Sequence, residues 1–110
     1  MSLFDRLTSI WSLPSIADLS RQVAQRSYAL VRESVETRAV GFARAEARGY
    51  IRAKAGPIIR AEVQTLADRY PKLSPVAIGA IVSQAGERVV QTVLADIGRQ
   101  RARETLRRVA

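Results

Sequence analysis

Apolar residues recur at three- and four-residue intervals along almost the whole chain, the spacing of one face of an α-helix. Leu3, Phe4, Leu7, Ile10 and Trp11 share one side of an amphipathic N-terminal segment, residues 1–14. Ser2 and Asp5 stand at the spacing of a capping box, with Asp in place of the usual Glu. Ser12-Leu13-Pro14-Ser15 then interrupts the pattern.

From Ser15 to Ala55 only the isolated glycines Gly41 and Gly49 oppose a helix. The pattern predicts one long helix over 15–55, roughly 60 Å at 1.5 Å per residue, with a bend near either glycine. Tyr28, Val35, Phe42 and Gly49 recur every seven residues, with Ala24, Val31 and Ala45 between them. Such a repeat is a seam for another helix, interrupted here by Arg38. Gly56-Pro57 predicts the clearest break, because glycine commonly follows a helix and proline commonly starts one. A short helix over 57–70 follows, its buried face formed by Ile59, Val63, Leu66 and Tyr70. Pro71 to Pro75 reads as a turn with Ser74 as N-cap, opening a last helix over 75–109 with the stripe Ile78, Val82, Ala85, Val89, Val93 and Ile97. No strand pattern or internal repeat interrupts this reading, so the expected class is all-α, one helical domain over 1–110.

Charge changes the picture. The chain carries eighteen basic and ten acidic residues, a formal balance of +8, and sixteen of the basic residues are arginine. Residues 20–60 hold nine basic and three acidic side chains, a balance of +6; residues 98–110 hold five arginines and Glu104, a balance of +4; the remainder is −2. Arginine presents a planar, permanently charged fork suited to phosphate oxygens, which points to a polyanion as partner. Eight excess charges match roughly eight phosphates, or about four to five base pairs at one charge per 1.7 Å of duplex.

The sharpest local pattern is Arg44, Arg48 and Arg52 at i, i+4 and i+8, beside Gly41, Ala45 and Gly49 about 60° round the helix at 100° per residue. Small residues admit a close neighbour. That neighbour is either another helix or a phosphate backbone whose oxygens the flanking guanidinium groups reach. The candidate DNA-binding set is Arg21, Arg26, Arg32, Arg38, Arg44, Arg48, Arg52, Lys54 and Arg60. Arg99, Arg101, Arg103, Arg107 and Arg108 form a secondary basic contact; they point several ways round a helix, and they also complement its C-terminal dipole.

The chain has no histidine, cysteine or asparagine. No nucleophile–base pair or thiolate site can be built, and Glu33 with Glu36 is a thin metal site. No glycine-rich phosphate loop is present. No enzyme, cofactor or metal is expected. The arginine-rich segments lack the interleaved aromatics of single-strand binders, and no recognition helix with side chains for base edges stands out. Backbone binding without sequence reading fits better. The absence of Asn and Cys, with a single Met, fits either a hot environment or a GC-rich genome. No run approaches the ~18 apolar residues of a membrane span.

In layout, and more narrowly in Ala55-Gly56-Pro57, the helix to Tyr70 and Ser74-Pro75 through Ile81, the chain resembles the α-helical major coat proteins of filamentous and rod-shaped archaeal viruses. The resemblance implies long helices in a helix-turn-helix-type arrangement with an extended N-terminal arm, assembled as a dimer or filament. It implies copies wrapped around linear double-stranded DNA in a virion, with the arm's role falling on Arg21, Arg26, Arg32, Arg38, Arg44, Arg48 and Arg52. The strongly basic C-terminus departs from that pattern and leaves open which end faces DNA.

The expected function is therefore a structural coat protein that sheathes double-stranded DNA through arginine–phosphate contacts. Its expected partners are DNA and further copies of itself or a paralogous subunit. The alternatives are a small architectural, DNA-compacting protein of the cytoplasm or nucleoid, and a helical adaptor whose basic face meets anionic membrane or an acidic partner. The N-terminal segment has three readings: it covers a neighbouring subunit, folds back on its own core, or lies on a membrane, the last weakened by its single Arg6 against Asp5.

Overall fold

The structure is a computed structural model, and it describes residues 14–109. Three helices, α1 (Ile16–Ala39), α2 (Arg44–Arg69) and α3 (Pro75–Val109), make up an up-down-up bundle in which each helix packs against the other two. The all-α class holds. The N-terminal segment and the readings placed on it lie outside the described residues.

The expected single helix over 15–55 is two helices. α1 stops at Ala39 and the chain reverses through Val40-Gly41-Phe42-Ala43. Short i→i−3 bonds tighten the end of α1, from Gly41 N–H to Arg38 C=O (3.1 Å) and from Phe42 N–H to Ala39 C=O (3.1 Å). Ala43 then adopts an extended conformation and starts α2 without a side-chain cap. Contacts distant in sequence hold this turn. The Phe42 ring meets Tyr50 edge-on at 5.4 Å, and Arg101 Nη1 of α3 donates to the Phe42 carbonyl at 2.9 Å. Folding back lets one apolar face cover another, whereas a single 40-residue helix would leave its seam in water. Residues 16–55 are thus bundle, not a free arm.

The expected break at Gly56-Pro57 is absent, and α2 runs through it. Proline normally clashes with the Cβ and N–H of the residue before it; at Gly56 there is no Cβ. The ring still removes one backbone bond, that to the Ala53 carbonyl, but Ala53 and Pro57 both lie on the exposed side of α2. The buried row Ala47, Ile51, Ala55, Ile59 and Val63 passes straight through the site. Full burial of an isoleucine stabilises by about 1.5–3 kcal/mol, so two such residues outweigh one lost bond.

Other boundaries match the sequence. Ser15 Oγ accepts from Asp18 N–H (3.1 Å) to cap α1, and Ser74 Oγ accepts from Ala77 N–H (3.1 Å) to start α3 at Pro75. The core joins Leu19, Val23, Val31 and Val35 of α1 to the α2 row and to Ile81, Ala85, Val89, Val90, Val93 and Ile97 of α3. Ser20 and Ser27 are also fully buried on α1, and neither hydroxyl has a hydrogen-bond partner. Ile97 is the last core residue of α3; Arg101 still reaches the turn before α2, and residues 101–109 are all exposed, within overall extents of 66 × 26 × 17 Å. No helix among the described residues is long and apolar enough to cross a membrane.

Candidate nucleic-acid interface

The bundle distributes the predicted arginines over three surfaces. Arg21 pairs with Asp18 at 3.1 Å and lines the groove between α1 and α3. Arg26 lies on the opposite flank, in the crevice between α1 and α2 with Glu62 and Arg69. Arg32 is drawn inward against α3. Its Nη1 donates to the Tyr28 hydroxyl at 2.9 Å and lies 3.3 Å from Asp96 Oδ2, and its Nε is 3.7 Å from Glu36. Arg38 is exposed near the end of α1. The α1 arginines therefore form no single face, and the basic arm expected along residues 21–52 is divided at the turn.

α2 carries the continuous row. Arg44, Arg48 and Arg52 are exposed, one helical turn apart, on the flank nearest α3. Gly56 occupies the next position and Arg60 the one after. A Cβ at Gly56 would lie 3.3 Å from Arg60 Nη1, so the missing side chain leaves room for the Arg60 guanidinium to fold back along the row. Lys54 is set apart from the row, with Nζ 5.8 Å from the centre of the Tyr50 ring.

The small-residue strip is only partly on the helix. Gly41 belongs to the turn, while Ala45 and Gly49 are exposed on α2, where a Cβ at Gly49 would meet nothing within 4 Å. No helix among the described residues packs on the strip. The heptad seam likewise ends at the turn: Val31 and Val35 are buried, whereas Ala45 and Gly49 face out.

Two carboxylates on α3 escaped sequence reasoning. Glu87 bridges the arginine row, 3.5 Å from Arg48 Nη2 and 2.9 Å from Arg52 Nη2. Asp96, whose side chain is only 13% exposed, accepts from the Tyr28 hydroxyl and from Arg32 with one oxygen and pairs with Arg99 through the other. Arg32 and Arg99 are therefore partly neutralised within the fold. Spacing in the sequence gives no sign of the links from Glu87 to Arg48 and Arg52 or from Asp96 to Tyr28 and Arg32, because each joins α3 to an earlier helix; only Asp96 and Arg99 stand at i, i+3 on one helix.

α2 and α3 run antiparallel, and that brings the two basic regions together. Arg44 and Arg101 line one cavity of about 200 Å³ with Ala39, Phe42, Leu94 and Ile97. The row Arg60–Arg52–Arg48–Arg44 consequently meets the exposed end of α3 at Arg101, and Arg108 at i+7 lies on the same side, while Arg103 and Arg107 point elsewhere round the helix. At 1.5 Å per residue the α2 part spans roughly 24 Å and the stretch from Arg101 to Arg108 about 10 Å more. That length matches about ten base pairs of duplex at 3.4 Å each. No protein-family model, curated protein or solved structure matches the chain.

Proposed function

We propose that this protein is a structural, non-catalytic protein that binds the phosphate backbone of double-stranded DNA, several copies lying side by side as a sheath. The supporting observation is the strip that joins Arg60, Arg52, Arg48 and Arg44 to Arg101 across the cavity between α2 and α3. Guanidinium forks along ~34 Å of one flank suit phosphates that repeat along a rod. The exposed, unlined Ala45–Gly49 surface beside them lets a backbone approach without steric cost. Glu87 holds Arg48 and Arg52 loosely: exposed ion pairs contribute about 0–1 kcal/mol, and phosphate oxygens can replace a carboxylate.

One copy neutralises few phosphates, so sheath formation needs contacts between copies. Leu106 is 69% and Val109 83% exposed, and with Ala102 they lie at i, i+4 and i+7 on the projecting end of α3. That stripe favours assembly over the second reading, a DNA-compacting protein that binds without polymerising. Purification without nuclease, followed by digestion of any bound nucleic acid with DNase or RNase and by electron microscopy, tests both. Copurified duplex DNA in regular filaments supports the sheath, DNA in irregular compact particles supports compaction, and protein free of nucleic acid contradicts both.

A further inference from the structure

We infer that the exposed end of α3 carries a second phosphate-binding row, Arg99, Arg103 and Arg107, which takes the backbone of a second duplex segment, so that one copy bridges two stretches of DNA. The inference rests on the DNA reading above and adds a second, separate contact to it.

The first observation is spacing. Arg99, Arg103 and Arg107 stand at i, i+4 and i+8, the arrangement that Arg44, Arg48 and Arg52 have on α2. All three are exposed. Helix residues four apart are surface neighbours, so the guanidinium groups line up over roughly 12 Å at 1.5 Å per residue.

The second is direction. Arg101 meets the strip on α2, and Arg108 lies on the same side of α3. At 100° per residue, the centre of the second row lies about 150° round the helix from these two. A duplex held along the strip therefore lies on one side of α3, and the second row faces away from it. The helix between them is about 10–12 Å across with its side chains. Residues 101–109 are exposed throughout, so nothing among the described residues covers the far side. Ala102, Leu106 and Val109 lie between the two rows, roughly 100° from each, so contacts between copies through that stripe leave both rows open.

The third is charge. Arg103 and Arg107 form no ion pair among the described residues. Arg99 pairs with Asp96, yet its side chain stays 65% exposed. Glu104 is the single acid after Asp96. Like charges four apart work against an exposed helix, and the favourable helix dipole reaches only the last turn. A repeating anion offsets the repulsion along the whole row. A small anion meets one guanidinium fork, whereas a phosphate backbone meets all three.

The test is capture of one duplex by another. The full chain is mixed with a short duplex fixed to a surface and a fluorescent duplex of unrelated sequence in solution. Retained fluorescence reads bridging, and anisotropy of the fluorescent duplex alone reads single-duplex binding. The wild type is expected to retain the label. Arg103→Ala with Arg107→Ala is expected to lose most of it, while single-duplex affinity and helical circular dichroism stay close to wild type. Arg26→Ala with Arg88→Ala removes the same charge elsewhere and is expected to match the wild type in both readings. Capture that survives Arg103→Ala with Arg107→Ala, or that falls equally in the control, overturns the inference. A parallel loss of single-duplex affinity also overturns it, because it places the row on the same duplex as the strip. Wild-type protein that binds a single duplex and captures no second one overturns the inference and leaves the DNA reading standing. Failure to bind a single duplex overturns the DNA reading itself, and the inference with it.

Discussion

Arg44 of α2 and Arg101 of α3 line the same cavity, and Arg101 also donates to the carbonyl of Phe42 in the turn that precedes α2. One guanidinium thus fixes the reversal between α1 and α2 and joins the two basic regions of the chain. Arg101→Ala is expected to cost about 1 kcal/mol of stability through the lost side chain–backbone bond, and also to weaken DNA binding. Urea denaturation and a binding titration separate the two effects. Arg101→Lys should recover much of the affinity but little of the stability, since an ammonium supplies charge without the planar fork.

Glu87 pairs with Arg48 and Arg52, and in the proposed binding mode it competes with DNA for them. Glu87→Gln is expected to tighten duplex binding at low salt by about three-fold, equivalent to ~0.7 kcal/mol. The stability cost should stay under ~1 kcal/mol, as for exposed pairs in general. Weaker binding by this variant would show that Glu87 positions the two arginines instead of occupying them.

The Tyr28–Asp96 bond ties α1 to α3, with Arg32 and Arg99 around the same carboxylate. Tyr28→Phe is expected to lower unfolding free energy by about 1.5–3 kcal/mol, the range for a hydrogen bond to a charged acceptor. Asp96→Ala should cost more, since three donors lose their acceptor. Denaturant midpoints at unchanged m-value measure both. Arg32→Ala should follow this stability series and leave DNA affinity nearly unchanged, because Arg32 is committed to the fold.

Ser27 is fully buried with an unpartnered hydroxyl. An unsatisfied buried hydroxyl costs about 1–3 kcal/mol, and alanine removes it while leaving a cavity smaller than a methyl group. Ser27→Ala is expected to stabilise by about 1 kcal/mol and to raise Tm by several degrees. A lower Tm would mean that the hydroxyl has a partner in solution, such as a buried water.

Features encoded locally were legible in the sequence. Ser74-Pro75 carries its own cap and first-turn residue, and helical period alone gives Ile59, Val63 and Leu66 of α2 and Ala85, Val89, Val93 and Ile97 of α3, whereas Tyr70, Ile78 and Val82 of the expected rows are only half-buried. The turn at Val40–Ala43 was not legible. Ala43 offers no cap, neither Gly41 nor any other glycine adopts a left-handed conformation, and what holds the turn is Tyr50 and Arg101. Gly56-Pro57 misleads for the opposite reason. The local signal is strong, but the glycine removes the clash and burial of Ala55 and Ile59 carries the helix onward.

The arginine row was readable at i, i+4 and i+8. Its partner Glu87, the link from Arg32 to Asp96 and the row's junction with the tail depend on how α3 lies across α1 and α2. No spacing within one helix encodes them.

The most direct measurement is the salt dependence of binding to duplexes of unrelated sequence. The wild type is compared with the combined Arg44→Ala, Arg48→Ala, Arg52→Ala and Arg101→Ala variant, and with a control carrying Arg26→Ala and Arg88→Ala on the other faces. The basic strip predicts sequence-independent affinity that falls steeply with salt. It predicts a slope reduced by roughly 0.9 for each phosphate contact removed from the strip, and a control close to wild type. Salt-independent binding, no binding, or equal losses in the strip variant and the control would contradict it.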